Sequence, residues 1–312
     1  MDKAKKIYVA GHQGMVGSAI VRSLQTKDYR KIITRTRQEL NLLDQSQVFA
    51  FLKQAQPDYI FLAAAKVGGI YANNTYPAEF IYENLIIQSN CIHGAYLAGV
   101  KDLCFLGSSC IYPRDCPQPI REDYLLTGSL EATNAPYAIA KIAGIKMCQS
   151  YNQQYGTRYV SVMPTNLYGP NDNYDLNHSH VLPALIRKTH EAKLRGDKEL
   201  VVWGSGVPMR EFLHVDDMAA ACIFLMEQGI SEGLFNVGTG VDIRIKELAA
   251  IIMEVIEFQG TIVFDSAKPD GTPRKLLDIS RMQSLGWQAR VDLKVGISSV
   301  YQDFLHRYYN NR

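Results

Sequence analysis

No apolar run in the 312-residue chain approaches the roughly 20 residues that a membrane-spanning helix needs. The first residues, Met1-Asp2-Lys3-Ala4-Lys5-Lys6, lead into a strand pattern and not into the apolar stretch of a signal peptide. The expectation is a cytoplasmic protein without a membrane partner. Charge of one sign is missing too: 33 Lys and Arg against 31 Asp and Glu leave a formal +2. No general field draws in nucleic acid, so any basic site must be local. The six cysteines, Cys91, Cys104, Cys110, Cys116, Cys148 and Cys222, include no C-x-x-C pair and fall mainly within apolar patterns. That argues against disulfides and structural zinc, and no metal site is expected. Repeats, low-complexity tracts and flexible linkers are absent as well.

What is present is an ordinary globular composition, 47% hydrophobic, enough to bury one large core or two unequal ones. Short apolar runs at Ile7–Ala10, Ile32–Thr34, Tyr59–Ala65, Leu103–Leu106 and Tyr159–Met163 read as buried parallel strands. Helical spacing near Met15–Gln25, Ser46–Gln54, Glu79–Ala98 and Tyr137–Tyr155 supplies the crossovers between them. This alternation predicts an α/β fold: a Rossmann-type doubly wound parallel sheet with a smaller mixed α/β substrate lobe. After Pro164 the pattern loosens into loops rich in Asn, Gly and Pro. The expected division is 1–164 for the dinucleotide domain, with Arg210–Val215 and Phe235–Val237 re-entering it around 210–240, and 165–312 mainly for the lobe.

Strand Ile7–Ala10 runs into Gly11-His12-Gln13-Gly14-Met15-Val16-Gly17 and then a helix. In that context G-x-x-G-x-x-G is a dinucleotide fingerprint. The first glycine permits the tight turn, the second lets backbone approach a pyrophosphate, and the third lets helix and strand pack closely. Gly11, Gln13, Gly14, Met15, Val16 and Gly17 are candidate cofactor contacts, with phosphate at the helix N-terminus. A glycine-rich turn without a ligand is the plainer alternative. After the second strand, where a carboxylate would hold bare ribose hydroxyls, stands Thr34-Arg35-Thr36-Arg37. Two arginines suit a 2′-phosphate better, so NADP(H) is the expected cofactor, unless Arg35 and Arg37 are solvated surface charges.

The fourth strand ends in Gly107-Ser108-Ser109-Cys110, and Tyr137-Ala138-Ile139-Ala140-Lys141 follows on a helical pattern. Four residues apart, Tyr137 and Lys141 share a helix face. An ammonium there is expected to lower the phenol's pKa and make Tyr137 a usable acid at a carbonyl oxygen, with Ser108 donating a second hydrogen bond. Alone, Y-x-x-x-K also fits an ordinary helix face with a solvated lysine. Its order after the glycine fingerprint and the strand-end serine makes it specific.

With these motifs the chain resembles the extended short-chain dehydrogenase/reductases that process nucleotide sugars. The resemblance runs to near residue 305, through Ala63–Gly69, Asn73–Pro77, Leu106–Pro113, Pro164–Pro170, Val202–Asp217 and Lys268–Asp278. Gly107–Pro113 and Lys268–Lys275 are the more specific strings. It implies a bifunctional NADPH-dependent 3,5-epimerase/4-reductase of GDP-4-keto-6-deoxy-D-mannose. The same chemistry on a related GDP-linked 4-keto sugar, of a colitose or 6-deoxy-heptose route, is the alternative; a non-enzymatic dinucleotide sensor is the rival of another class.

A C4 ketone acidifies the protons at C3 and C5, and inversion takes a proton from one face and returns one to the other, which demands two acid–base groups. The resemblance assigns Cys110 as base and His180 as acid, against the plainer readings of a packed thiol and a helix-start histidine; His178 reads as a solvated neighbour. It also implies Lys141, Pro164, Asn166, Leu167 and His180 along the cofactor. Lys188 and Arg210 would meet the diphosphate, Trp203 the nucleoside and Asp270 the guanine N–H donors, although all four types also occur as ordinary surface or core residues. Two positions depart from the family. Gln13 stands where a typical member has an arginine facing the adenosine phosphate, which weakens the expected NADP preference, and Lys188 replaces an arginine fork. A homodimer through helices Glu79–Ala98 and Tyr137–Tyr155 is expected.

Overall fold

Runs such as Ile7-Tyr8-Val9-Ala10 are apolar at every position because both faces of the strand are covered. The computed structural model describes residues 1–176, 179–268 and 270–309. Its strands are β1 (Ile7–Ala10), β2 (Ile32–Ile33), β3 (Tyr59–Leu62), β4 (Asp102–Leu106), β5 (Arg158–Pro164), β6 (Asn166–Tyr168), β7 (Glu199–Trp203), β8 (Met209–His214), β9 (Leu234–Val237), β10 (Asp242–Arg244), β11 (Thr261–Asp265) and β12 (Arg274–Lys275). The helices are α1 (Met15–Thr26), α2 (Gln45–Ala55), α3 (Ile70–Thr75), α4 (Pro77–Leu97), α5 (Ala135–Tyr155), α6 (Val181–Arg195), α7 (Val215–Glu227), α8 (Ile245–Ile256), α9 (Ser280–Ser284) and α10 (Leu293–Phe304).

Six strands form a parallel sheet in the order β2-β1-β3-β4-β5-β9. Alternation along each strand divides the side chains between two cores. Ile7, Val9, Phe61, Cys104, Leu106, Val160 and Val162 pack with Ala19, Ile20 and Leu24 of α1 and Met218, Cys222 and Leu225 of α7. Tyr8, Ile60, Leu62, Leu103, Phe105 and Tyr159 pack with residues of α2, α4 and α5 on the other face. Each large aliphatic or aromatic side chain buried this way stabilises the fold by about 1.5–3 kcal/mol. The strand order reverses at β1, which has β2 on one side and β3 on the other, and ligands of open α/β sheets bind in the crevice at such a switch point.

The four expected helices fall on α1, α2, α4 and α5 to within two residues. Asp44 starts α2 by accepting from the Gln47 N–H, and Gly156 ends α5 in the left-handed conformation. The second strand is shorter than its sequence pattern: Thr34 lies outside the ladder, and its carbonyl accepts from Arg35 instead. Of the two later strand patterns, Phe235–Val237 lies in β9 beside β5, whereas Arg210–Val215 supplies the middle strand of a second, smaller sheet. There β8 pairs antiparallel with β10 and parallel with β12 and β6. Phe212, Leu182, Leu185, Leu248, Ile252, Val300 and Phe304 form the lobe's own core. Glu211 of β8 is fully buried and accepts from the backbone N–H groups of Thr239 and Gly240, both at 2.7 Å, and of Leu277 at 3.0 Å. It thereby ties the segments after β9 and β12 to the lobe. Among the described residues no helix is long and apolar enough to cross a membrane.

Candidate active site

Gly11 leaves β1 with φ +84°, and a Cβ there would lie 2.7 Å from the Ala64 nitrogen, while one on Gly17 would lie 2.1 Å from the Gly11 oxygen. Strand, turn and α1 can approach this closely only with glycine at both positions. A Cβ on Gly14 would meet nothing nearer than the Gly11 oxygen at 3.5 Å, so that residue leaves backbone open to a ligand. α1 begins with no capping side chain and no acidic residue in its first turn. Its first N–H donors, at Met15, Val16 and Gly17, are thus available to an anion, and these residues line the cavity together with Gln13, Arg35 and Arg37. Arg35 also donates to the Thr34 carbonyl at 2.8 Å and lies 5.2 Å over the Phe51 ring. These groups fit a dinucleotide pyrophosphate with a further phosphate at the arginines.

Tyr137 and Lys141 project from α5, which is pinned to α4 by the Gln88 amide donating to the Ala140 carbonyl at 2.5 Å. Lys141 is buried. Its Nζ donates to the Leu106 carbonyl at 2.8 Å and lies 5.8 Å from the Tyr137 ring centre. Burial pulls this ammonium down to about 8 and pushes the Tyr137 phenol well above its usual range, with the Cys110 charge adding to the rise. The expected lowering by Lys141 is therefore not what dominates. Desolvation does, and Tyr137 keeps its proton as a donor must.

Past the end of β4, Ser108 opens a 3-10 turn, Ser109–Ile111, by accepting from the Cys110 N–H at 3.4 Å. Ser108 and Cys110 thereby reach the same cavity as Tyr137. Burial pushes the Cys110 thiol up, while the charges of Lys275 and Lys141 and a hydrogen bond with Ser108 oppose the rise. His180 sits at the entry of α6 with extended backbone and no capping bond from its side chain, and it lines the cavity. Burial, then the charge of Lys275, holds its imidazole below the usual range. His178 lies outside the described residues.

The cavity measures about 1130 Å³, beyond the roughly 300–1,000 Å³ of a site for one drug-sized ligand. It runs from the α1 turn past Pro164, Asn166 and Leu167 to Trp203, Arg210 and Asp270 in the lobe. Asn166 is fixed by donating to the Glu211 carbonyl at 2.8 Å. Asp270 is already engaged: it accepts from the Ser205 N–H at 2.9 Å and the Ser205 hydroxyl at 2.6 Å, which holds its carboxyl low. Of the substrate candidates only Lys188 is off the wall, half-buried with its Nζ 4.4 Å over the exposed Trp203 ring. Lys268 approaches the same ring to 5.2 Å.

Sequence reasoning missed Lys275. It lines the cavity, pairs in register with Arg210 across β12 and β8, and its ammonium makes no hydrogen bond to a described residue. Its place in the Lys268–Lys275 string was the available signal. Burial lowers the basicity of Lys188, Arg210 and Lys275 alike. The cavity's carboxylates are meanwhile satisfied locally: Glu83 by Lys66 at 2.8 Å, Asp270 by Ser205, and Glu131 by Thr133 and Asn134. Desolvated cations that feel Asp265, Asp270 and Glu131 only at a distance, with no ion pair among the described residues, make the lobe end suited to an anionic ligand.

A model of the NAD dependent epimerase/dehydratase family matches residues 7–238. Putative GDP-L-fucose synthase 2 of Arabidopsis thaliana is 59% identical over 305 residues, 98% of this chain and 93% of that protein. GDP-L-fucose synthase of Escherichia coli (strain K12) is 56% identical over 310 residues, 96% and 97% of the two chains. GDP-L-colitose synthase of Yersinia pseudotuberculosis is 39% identical over 313 residues, 98% and 100%. A solved GDP-L-fucose synthetase from Naegleria fowleri bound to NADP superimposes with a TM-score of 0.90 at 27% identity, covering 99% of this chain and 97% of that one. The chain belongs to the NAD dependent epimerase/dehydratase family, the extended short-chain dehydrogenase/reductases whose motifs it carries.

Proposed function

We propose that this protein is an NADPH-dependent GDP-L-fucose synthase, which inverts C3 and C5 of GDP-4-keto-6-deoxy-D-mannose and then reduces C4. The observation that carries the reading is the convergence of Ser108, Cys110, Tyr137, Lys141 and His180 on one cavity whose lobe end is lined by desolvated cations. NADPH, when bound, supplies the hydride for C4. Tyr137 gives its phenolic proton to the C4 oxygen, Ser108 donates a hydrogen bond to the ketone, and Lys141 holds the nicotinamide ribose. Cys110 takes the protons at C3 and C5, and His180 returns protons on the opposite face. Arg210, with Lys188, binds the diphosphate, Trp203 packs near the nucleoside and Asp270 accepts from guanine. In this reading residues 1–164, joined by the re-entering segment from α7 to β9, hold the cofactor, and the rest of 165–312 mainly holds the sugar nucleotide.

The identities favour this substrate over the colitose alternative, since 56–59% with two fucose synthases compares with 39% for the colitose enzyme. NADPH consumption with GDP-4-keto-6-deoxy-D-mannose, set against a 4-keto-6-deoxy sugar on UDP or dTDP, tests it. Turnover confined to the GDP sugar is expected, and no turnover of it refutes the reading. We also infer a cytoplasmic homodimer. The outer faces of α4 and α5 expose Tyr82, Leu97, Ile139 and Tyr155, which supports pairing there.

Two consequences are measurable. Arg37→Ala should weaken NADPH by about tenfold, as loss of one charge-assisted contact at an exposed site implies, and leave NADH nearly unchanged. Fluorescence titration checks it; equal weakening of both would remove the arginine from cofactor selection. The second concerns pH. With the thiol pushed up and the imidazole held down, thiolate base and imidazolium acid are each the minor form near neutrality. Below the His180 pKa, further acid only removes thiolate; above the Cys110 pKa, further base only removes imidazolium. The pH profile of kcat/KM for deuterium exchange at C3 and C5 should be a bell, its acid limb below the usual histidine range and its alkaline limb above the usual thiol range. An acid limb at an ordinary thiol pKa would reject this pairing.

A further inference from the structure

Beside Tyr137 the cavity wall is made by Glu131, Thr133 and Asn134, which the reaction above leaves unused. Glu131 Oε2 accepts from Thr133 Oγ1 at 2.6 Å, from Asn134 Nδ2 at 2.8 Å and from the Asn134 N–H at 3.0 Å, and Oε1 accepts from the Thr133 N–H at 3.2 Å. Burial raises this carboxyl, but the hydrogen bonds more than reverse the rise and keep it ionised. An ionised carboxylate only accepts, and that fixes the polarity of its neighbours. Thr133 spends its single hydroxyl proton on Glu131 and retains only lone pairs. The Asn134 amide must turn its NH₂ to the carboxylate, which uses one N–H and leaves Oδ1 with the other N–H free, and the Asn134 side chain makes no capping bond to α5. The loop therefore offers the cavity two acceptors. Their complement is a hydroxyl, which can donate to an acceptor and also accept from the second Asn134 N–H; a carbonyl or phosphate oxygen could meet only that N–H.

Asn134 caps α5 one turn before Tyr137, with its carbonyl accepting from the Ala138 N–H at 2.9 Å, so the two residues are neighbours on the helix surface. On the function proposed above, Tyr137 meets the oxygen at C4. A 4-keto-6-deoxyhexose attached through C1 keeps hydroxyls only at C2 and C3. C5 carries the methyl group, so the only hydroxyl bordering the ketone is that at C3. We propose that Asn134 and Thr133, aligned by Glu131, accept a hydrogen bond from the C3 hydroxyl and make this enzyme selective for 3-hydroxy over 3-deoxy sugars. This inference rests on the GDP-keto-sugar reading and names the group by which that site separates two related substrates.

The test compares kcat/KM, with NADPH, for GDP-4-keto-6-deoxy-D-mannose and its 3-deoxy counterpart in the wild type, Thr133→Val and Asn134→Ala. Unchanged NADPH binding reports an intact fold, and the near-isosteric Thr133→Val keeps the test usable if Asn134→Ala disturbs the start of α5. The wild type should favour the 3-hydroxy sugar by about tenfold or more. Each variant should lose about three- to tenfold on that sugar and little on the 3-deoxy one, so the preference shrinks. Parallel losses on both sugars would overturn the proposal and make the trio a support for Tyr137, and an unchanged preference would overturn it too. If the wild type reduces neither sugar, the function itself fails, and this inference with it.

Discussion

Tyr137→Phe should lower the rate of C4 reduction by about 10²–10⁴, the usual share of a positioned general acid, while NADPH binding and the fold stay intact. The phenol ring packs edge-on against Phe80, and that contact survives the loss of the hydroxyl. The burial that keeps Tyr137 protonated leaves it the acid for the C4 oxygen on the proposed function, with Lys141 anchored by one N–H to the Leu106 carbonyl and its remaining donors turned to the ribose. Proton exchange at C3 and C5 should continue in this variant, because the proposed function assigns it to Cys110 and His180. Single-turnover absorbance at the nicotinamide band gives the hydride-transfer rate directly. An undiminished rate would mean that another group protonates the alkoxide.

Cys110→Ser should abolish epimerisation and spare reduction. The substitution nearly preserves volume, but a hydroxyl is too weakly acidic to furnish the corresponding anion near neutral pH, even beside the Lys275 charge that opposes the rise at the thiol. Tyr137, Lys141 and the cofactor cradle are untouched, so the variant should slowly reduce the unepimerised ketone. Its product should keep the manno arrangement at C3 and C5 and, in D₂O, carry little deuterium there. Fully inverted product formed at the wild-type rate would make Cys110 a packing residue.

The main sheet was legible because its strands are buried on both faces and therefore continuously apolar, and because the glycine turn is required by backbone contacts as close as that between Gly17 and Gly11. The lobe was not. Its sheet draws β6, β8, β10 and β12, two to six residues each, from segments far apart in sequence, and no local pattern says that Lys275 will pair with Arg210. The chemistry divides in the same way. Spacing placed Tyr137 and Lys141 on one helix face, but the direction of the tyrosine's shift depends on how deeply α5 is buried, which spacing does not encode. Asp270 lines the cavity, and its bonds to Ser205 cross 65 residues of sequence. Lys188 was placed by resemblance at the diphosphate; in the structure its ammonium rests on Trp203, a contact between α6 and β7 that neither segment shows alone.

The central claim is that one cavity carries out two inversions and one reduction. The most direct measurement is mass and NMR analysis of the sugar nucleotide formed by the wild-type protein from GDP-4-keto-6-deoxy-D-mannose and NADPH in D₂O. The expected product is GDP-L-fucose, inverted at C3 and C5, with one deuterium at each of those carbons and protium from NADPH at C4. A reduced product that keeps the manno configuration and carries no deuterium at C3 or C5 would contradict the account.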